Sequence, residues 1–212
     1  MNPDTLVDAD AETFLELMGT CRAIRHLAPD PIPKATLERL VWAATRASNP
    51  ANSQAWAFVV VTDPARKARL ATDVQAAMEP VLARRDAMPA GPERRMMDGA
   101  AHLVAGFATV PALIVVAARN VYPPGAPDER FVWSAIYPAA QNLVLAARAM
   151  GLGAAFTTLH MVCEERFRSE LRIPDDVYLG ATIAVGRPLA PFGPVRRKPL
   201  EEVLFWERWE ER

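Results

Sequence analysis

The sequence predicts an α+β fold, because helical and strand patterns are mixed along the chain without a regular strand–helix alternation. Stretches with apolar residues at helical spacing lie between short apolar runs rich in valine. At 212 residues the chain is long enough to bury roughly 70% of its unfolded surface. No internal repeat or low-complexity tract interrupts it, so one domain over residues 1–212 is the simplest expectation.

In the first half, turn-forming residues separate the predicted elements. Asp10 is placed to cap a first helix and Gly19 to end it. The elements that follow are an extended turn at 29–33, a helix from Leu37 to Ala47, a polar loop at 48–54 and a strand at 56–61.

From Pro64 onward, the sequence predicts two long helices, a short helix and three strands. The most apolar run, at 110–118, has the branched residues of a buried strand and is too short to span a membrane. We expect the segment from Ala87 to Arg95 to be mobile. The elements are a helix between Pro64 and Met88, a strand at 110–118, a loop at 120–128, a helix at 131–150, a strand at 154–159, a short helix at 164–171, a strand at 178–186 and a proline-rich arm from Arg187.

Charge and cysteine content narrow the function to small-molecule chemistry. The chain has 24 basic and 25 acidic residues, which predicts no nucleic-acid surface and no polybasic membrane anchor. Cys21 and Cys163 lie far apart without metal-ligand spacing, so we expect no metal site and a reducing, cytoplasmic compartment. Residues 1–4 are polar and acidic, so no signal peptide is expected.

Two cationic clusters stand out in this nearly neutral chain. One lies at 20–25 and contains Arg22 and Arg25, and the other lies at 194–200 and contains Arg196 and Arg197. The planar guanidinium group matches phosphate oxygens bidentately and stays charged at any working pH. Each cluster taken alone is also compatible with an ordinary solvated surface.

The order of motifs between these clusters resembles the FMN-dependent nitroreductase family from about Gly19 to Trp209. The matching segments are Cys21-Arg22-Ala23-Ile24-Arg25, Pro31-Ile32-Pro33, Ser48-Asn49-Pro50-Ala51-Asn52-Ser53-Gln54-Ala55-Trp56-Ala57-Phe58, Ala139-Ala140-Gln141-Asn142-Leu143, Gly151-Leu152-Gly153 with the residues up to Leu159, Val185-Gly186-Arg187-Pro188 and 196–203. The resemblance implies a sandwich with a central mixed, mainly antiparallel sheet flanked by helices. It also implies an intertwined homodimer with an extended C-terminal arm and FMN at the subunit interface.

The resemblance further implies which residues hold FMN. Arg22 and the Ala23 backbone would lie near the phosphate and ribityl chain, with Arg197 and Arg196 gripping the phosphate from the arm. Arg25 would reach the N1/O2 edge of the flavin, where a fixed cation stabilises the charge of the reduced ring.

The remaining contacts would come from amides and from one turn. Asn52, with Gln54 behind it and Asn49 in the same loop, would face the pyrimidine edge from the other subunit. The turn Thr157-Thr158-Leu159 would present backbone N–H groups at O4 and N5. No side chain is expected to act as a nucleophile: flavin N5 does the chemistry, with Arg25 and Thr158 as tuning residues.

The implied activity is ping-pong hydride transfer from NAD(P)H to a nitroaromatic, quinone or similar electron-poor acceptor. Cys21 and Ala23 replace the family's first arginine and its serine, which removes two phosphate contacts. The alternatives are a specialised branch, reductive dehalogenase or flavin-fragmenting, and a non-catalytic FMN-binding or storage protein. Residues 87–95 lack the Glu-Tyr-Lys set of a substrate clamp.

Three further residue types keep two interpretations each. His160 either lines the substrate pocket or is a structural histidine. Cys21 is either an activated thiolate beside Arg22 or a packing residue. Trp206 and Trp209 either pack in a dimer interface or form a stacking platform.

Overall fold

The computed structural model describes residues 9–209. Residue contacts divide them into two compact units, which are described separately. The smaller unit comprises residues 9–22, with helix α1 (Ala9–Gly19), and residues 192–209, here called the arm. The larger unit is Ala23–Pro191 and contains the sheet.

Within the larger unit, five strands pair antiparallel throughout its described length. Long β5 is central: it pairs with β3, β4 and the two-residue β1, and β3 also pairs with β2. The strands are β1 (Leu27–Ala28), β2 (Trp56–Val61), β3 (Ala112–Arg119), β4 (Gly153–Thr157) and β5 (Val177–Pro188).

Five helices flank this sheet, and two begin with a side-chain cap. The Asp63 carboxylate accepts from the Arg66 N–H at 2.7 Å, and Asp128 accepts from the Arg130 N–H at 2.9 Å. The helices are α2 (Lys34–Ala44), α3 (Pro64–Ala83), α4 (Pro92–Ala105), α5 (Glu129–Ala149) and α6 (Glu164–Leu171).

The core lies between the sheet and the helices packed on it. Strand β3 is buried from Ala112 to Ala118, as its continuous apolar run predicts. Helix α5 packs so closely on β5 that a Cβ added at Gly180 would lie 2.4 Å from Ile136 Cγ2. Only glycine fits at that crossing.

The structure confirms the α+β fold and the mainly antiparallel sheet, and it adds two elements that the sequence did not predict. Helix α4 is one of them: it begins at Pro92, inside the segment expected to be mobile. Pro92 is the first residue of the helix, where proline's missing N–H costs nothing. The other is β1, which is too short to carry a strand pattern.

The cap expected at Asp10 is wrong, whereas other expectations stay predictions. Asp10 lies inside the first turn of α1 rather than before it, where an acidic side chain suits the helix dipole. The residues used to argue against a signal peptide, 1–4, lie outside the described part of the chain. One domain over 1–212 stays a prediction. Among the described helices none has the length and apolarity needed to cross a membrane.

Candidate cofactor site

In the smaller unit the arm runs beside the end of α1. The Val195 N–H donates to the Gly19 carbonyl at 2.8 Å. A Cβ added at Gly193 would lie 3.7 Å from Arg22 Nε and 3.8 Å from Nη2, so the Arg22 side chain lies against the arm. Arg22 of the first cluster therefore meets the arm that carries the second cluster, about 170 positions away in the chain.

The guanidinium groups of Arg22, Arg196 and Arg197 are exposed in this unit. Arg197 Nη1 donates to the Arg196 carbonyl at 2.9 Å, and Lys198 lies 3.7 Å from Glu202. Within residues 9–209, Arg22, Arg196 and Arg197 form no ion pair with Asp or Glu. Exposed guanidinium groups without a protein counter-ion favour an anionic ligand such as phosphate.

In the larger unit, the segment that carries Arg25 lies along β4. The Ile24 N–H donates to the Ala154 carbonyl at 2.9 Å. A Cβ added at Gly153 would lie 2.8 Å from Ile24 Cγ2 and 2.8 Å from Leu27 Cδ2. The second glycine of the Gly-Leu-Gly motif is therefore required for this segment to approach the strand.

Arg25 itself is half-buried and rests on α4. A Cβ added at Gly99 would lie 3.2 Å from Arg25 Cδ and 3.6 Å from Nη1. Among the described residues no carboxylate pairs with Arg25. Its charge is thus held close to the sheet and left uncompensated by the protein, as a residue that stabilises an anionic ring requires.

The turn that follows β4 is held by contacts of the Thr157 hydroxyl. The Thr157 hydroxyl donates to the Thr182 carbonyl at 2.7 Å, and the Leu159 N–H points at the same hydroxyl oxygen at 3.5 Å. Thr158 is exposed. From Ala154, beside Ile24, to Thr157 the strand spans about 10 Å, comparable with the length of a three-ring planar cofactor.

The polar loop before β2 is held in an unusual backbone conformation. Ala51, Asn52 and Gln54 have φ values of 49°, 52° and 51°, in the left-handed region that disfavours side chains. The Asn49 side-chain oxygen accepts from the Gln54 N–H at 2.8 Å and thereby closes the loop. The Asn52 and Gln54 side chains are exposed, so their amides face outward from this chain.

The sequence did not predict a buried network between the turn after β4 and strand β5. His160 is fully buried: its Nδ1 lies 3.1 Å from Thr182 Oγ1 and its Nε2 lies 3.2 Å from the Leu179 carbonyl. Since a carbonyl only accepts, Nε2 carries the proton and Nδ1 accepts from Thr182. Burial lowers the pKa of His160 below its usual value, so the ring is neutral. Here His160 is structural rather than part of a pocket wall.

The cysteine on the neighbouring turn is not set up for nucleophilic chemistry. Burial, with help from the Asp73 carboxylate, raises the pKa of the Cys163 thiol to about 11. Among the described residues no cluster of three metal-ligating side chains occurs. The chain therefore presents cations, amides and backbone donors, and this donor set fits a phosphate-bearing flavin.

Comparison with known proteins gives the same family. The model of the nitroreductase family matches residues 20–187. A protein named NADH dehydrogenase from Thermus thermophilus is 30% identical over 198 residues, covering 87% of this chain and 91% of that protein.

Solved structures share the fold. An FMN- and NADPH-dependent nitroreductase from Sphigopyxis sp. strain HMH has a TM-score of 0.71 at 20% identity, covering 92% of this chain and 99% of that one. An iodotyrosine deiodinase bound to FMN and 3-iodo-L-tyrosine has a TM-score of 0.74 at 18% identity, covering 92% of this chain and all of that one (100%). With the family model matching most of its length, the chain belongs to the nitroreductase family.

Proposed function

We propose that this protein is an FMN-dependent oxidoreductase that passes hydride from NAD(P)H through flavin N5 to an electron-poor acceptor such as a nitroaromatic or a quinone. The observation that carries the proposal is the contact of Arg22 with the arm that bears Arg196 and Arg197, because these three guanidinium groups form no ion pair with Asp or Glu among residues 9–209. Family membership supports FMN as the ligand. The names of the relatives support a nicotinamide donor.

The flavin supplies the two-electron chemistry when it is bound, and the chain's residues orient it and set its potential. By family resemblance, Arg22, the Ala23 backbone, Arg196 and Arg197 hold the phosphate. Arg25 lies at the N1 edge, where its charge favours the reduced ring.

Two further parts of the chain contact the rest of the flavin ring. The exposed amides of Asn52 and Gln54 face the pyrimidine edge, and Asn49 shapes their loop through its bond to the Gln54 N–H. The turn at Thr157, Thr158 and Leu159 presents backbone to O4 and N5, with the Thr157 hydroxyl committed to the sheet.

We also propose a homodimer, since in this family the amide loop serves the flavin of the other subunit. The outward-facing amides of Asn52 and Gln54 support this arrangement. A cytoplasmic location remains a prediction from cysteine usage.

A comparison of FMN with riboflavin tests the phosphate assignment. Arg22→Ala and Arg197→Ala are each expected to weaken FMN binding about ten- to a hundredfold, the loss of one charged hydrogen bond, and to leave riboflavin binding unchanged. Arg39→Ala, an exposed arginine on α2, is the control. Equal losses for both ligands, or no loss of FMN affinity, would contradict the assignment.

The second candidate is dehalogenation, supported by the fold shared with the iodotyrosine-bound deiodinase. Against it, residues 84–105 of this chain contain no tyrosine, and the tyrosine of a Glu-Tyr-Lys clamp is therefore missing from this stretch. Release of iodide from 3-iodo-L-tyrosine by the reduced protein, with no reduction of quinones or nitroaromatics, would replace the proposed acceptors with halogenated ones.

A further inference from the structure

Helix α4 carries a glycine in its interior, where glycine is the poorest choice of residue apart from proline. That residue is Gly99, and Arg25 occupies the space that a side chain there would need. An added Cβ would approach Arg25 Cδ to 3.2 Å, Nη1 to 3.6 Å and Nε to 4.0 Å. The missing side chain therefore has a specific use, which is to let the Arg25 side chain lie flat on α4.

One turn further along α4, a second contact is made to the residue that follows Arg25. The rings of His26 and His102 are stacked, with centroids 3.7 Å apart and planes inclined by 25°. Burial of its ring face, and then the charge of His26, lower the pKa of His102 below its usual value of 6.5. Two stacked imidazoles resist double protonation, because both charges would lie about 4 Å apart.

The two contacts act on adjacent residues, since Arg25 and His26 meet Gly99 and His102, which share one face of α4. We propose that Gly99 and His102, here called the clamp face, position Arg25 for the flavin and release it when His102, stacked on His26, takes up a proton. The part of this inference that concerns flavin rests on the proposed function. Gly99 and His102 are positioning residues, and Arg25 is the group that touches the cofactor.

The charged groups around the clamp face leave His102 as its pH-sensitive part. Asp98 on α4 already lies 3.2 Å from Arg94 and 3.8 Å from Arg85. Asp30 and Arg187, at the β1–β5 end of the sheet, pair with each other. Arg25 flanks the stacked pair. The other charged side chains on α4, on α3 and at 84–87, the elements packed against α4, are Arg66, Lys67, Arg69, Asp73, Glu79, Arg84, Asp86, Glu93 and Arg95.

The sign of the pH effect follows from the lowered pKa of His102. The folded contact favours the neutral ring, so the clamp is complete above about pH 6.5 and weakens as the pH falls below that value. Flavin reduction is then expected to slow in the same range, because Arg25 loses its fixed position.

The clamp can be tested in the protein without flavin, because the chain contains only three histidines. Imidazole resonances followed by NMR in a tag-free protein should show His102 titrating below pH 6.5. In His26→Phe, which keeps a flat ring without its charge, the His102 midpoint should rise. Gly99→Ala should shift the backbone amides of Arg25 and His26, while Met96→Ala, an exposed α4 residue, should not.

The flavin-loaded protein supplies the second readout. Gly99→Ala is expected to slow reduction by NAD(P)H about tenfold and to make the flavin potential more negative, with the fold intact because the flexible Arg25 side chain gives way. His26→Phe should flatten the fall in rate below pH 6.5.

Two results would overturn the clamp. One is a His102 midpoint that is the same in wild type and His26→Phe, and the other is a Gly99→Ala protein with wild-type Arg25 amides and reduction rate. If wild type binds no FMN, the proposed function fails, and the imidazole and amide shifts still decide whether the clamp holds Arg25.

Discussion

At the scale of single residues, Arg25 supplies a charge, and other parts of the chain set the position of that charge. Its segment is fixed by the Ile24 N–H on β4, and its side chain is supported by Gly99. A guanidinium group held in this way needs little reorganisation when charge develops on a bound ring.

Removal of Arg25 should therefore affect the chemical step more than the fold. Arg25→Ala is expected to slow flavin reduction about a hundredfold, the usual cost of one preorganised donor at a site of developing charge. Arg25→Lys keeps the charge without the planar fork, so its rate of flavin reduction should lie between those of the wild type and Arg25→Ala. Stopped-flow absorbance measures the rate. Unchanged reduction in Arg25→Ala would contradict the role.

The buried His160 makes a separate prediction about stability. Its pKa is lowered in the folded state, so the unfolded chain binds more protons below pH 6.5 and stability should fall as the pH drops through that range. His160→Phe removes the titrating group, and it leaves the Leu179 carbonyl and the Thr182 hydroxyl without their partner, at a cost of about 1–3 kcal/mol.

Urea unfolding at pH 7.5, 6.5 and 5.5 separates the loss of the titrating group from the loss of its hydrogen bonds. Wild type should lose stability towards low pH, whereas His160→Phe should start lower and change less. The same pH slope in both proteins would show that another group dominates.

The types of residue in the candidate site were easier to predict from the sequence than the groups that each residue contacts. The arginines could be chosen because phosphate chemistry demands them, and the arm does approach Arg22. Asn49 stays a predicted cofactor-binding residue, and its oxygen also closes its own loop, a contact that depends on left-handed backbone not visible in the sequence. The bond between His160 and Thr182 joins the turn after β4 to the middle of β5 and carries no local signal.

At the scale of elements, the amide loop at 49–54 stores strain next to a predicted ligand. Three residues other than glycine adopt positive φ there, at a cost of about 1–2 kcal/mol each. The exposed amides of Asn52 and Gln54 are held in place by this conformation.

Ala51→Gly should relieve part of that strain. We expect the free energy of unfolding to rise by up to about 1 kcal/mol, because glycine adopts φ near 49° without penalty. Ala57→Gly, in strand β2, is the control and should lower it by about 0.5–1 kcal/mol. Denaturant unfolding measures both, and a destabilised Ala51→Gly would contradict the strained conformation.

Most elements were predictable because their apolar pattern is strong: β3 is a continuous apolar run, and α5 carries apolar residues at helical spacing. Helix α4 was missed for a local reason: Gly91 and Pro92 look like a break, although they mark a helix start. The clamp face was also difficult to predict, because the interior glycine Gly99 weakens the helical pattern.

At the scale of the whole molecule, the smaller unit exposes a large apolar surface. Leu200, Trp206 and Trp209 are 67%, 64% and 81% exposed in the isolated chain. Exposed aromatic groups of this size favour an interface between protein chains.

The wild-type protein is therefore expected to sediment as a dimer. The double variant Trp206→Ser/Trp209→Ser should shift it towards monomer, whereas Trp42→Ser, a tryptophan of 63% exposure on α2, should not. Sedimentation equilibrium distinguishes these cases. A wild-type monomer at micromolar concentration would contradict the dimer.

The central claim is that this chain binds FMN and uses it to move electrons from a nicotinamide donor to an acceptor. The direct measurement is the visible spectrum of the FMN-loaded protein, recorded without oxygen, on addition of NADH or NADPH and then of a quinone or nitroaromatic. We predict that the bound-flavin bands bleach with the donor and return with the acceptor. Tight FMN binding without bleaching by either donor would contradict the oxidoreductase and indicate an FMN-binding or storage protein.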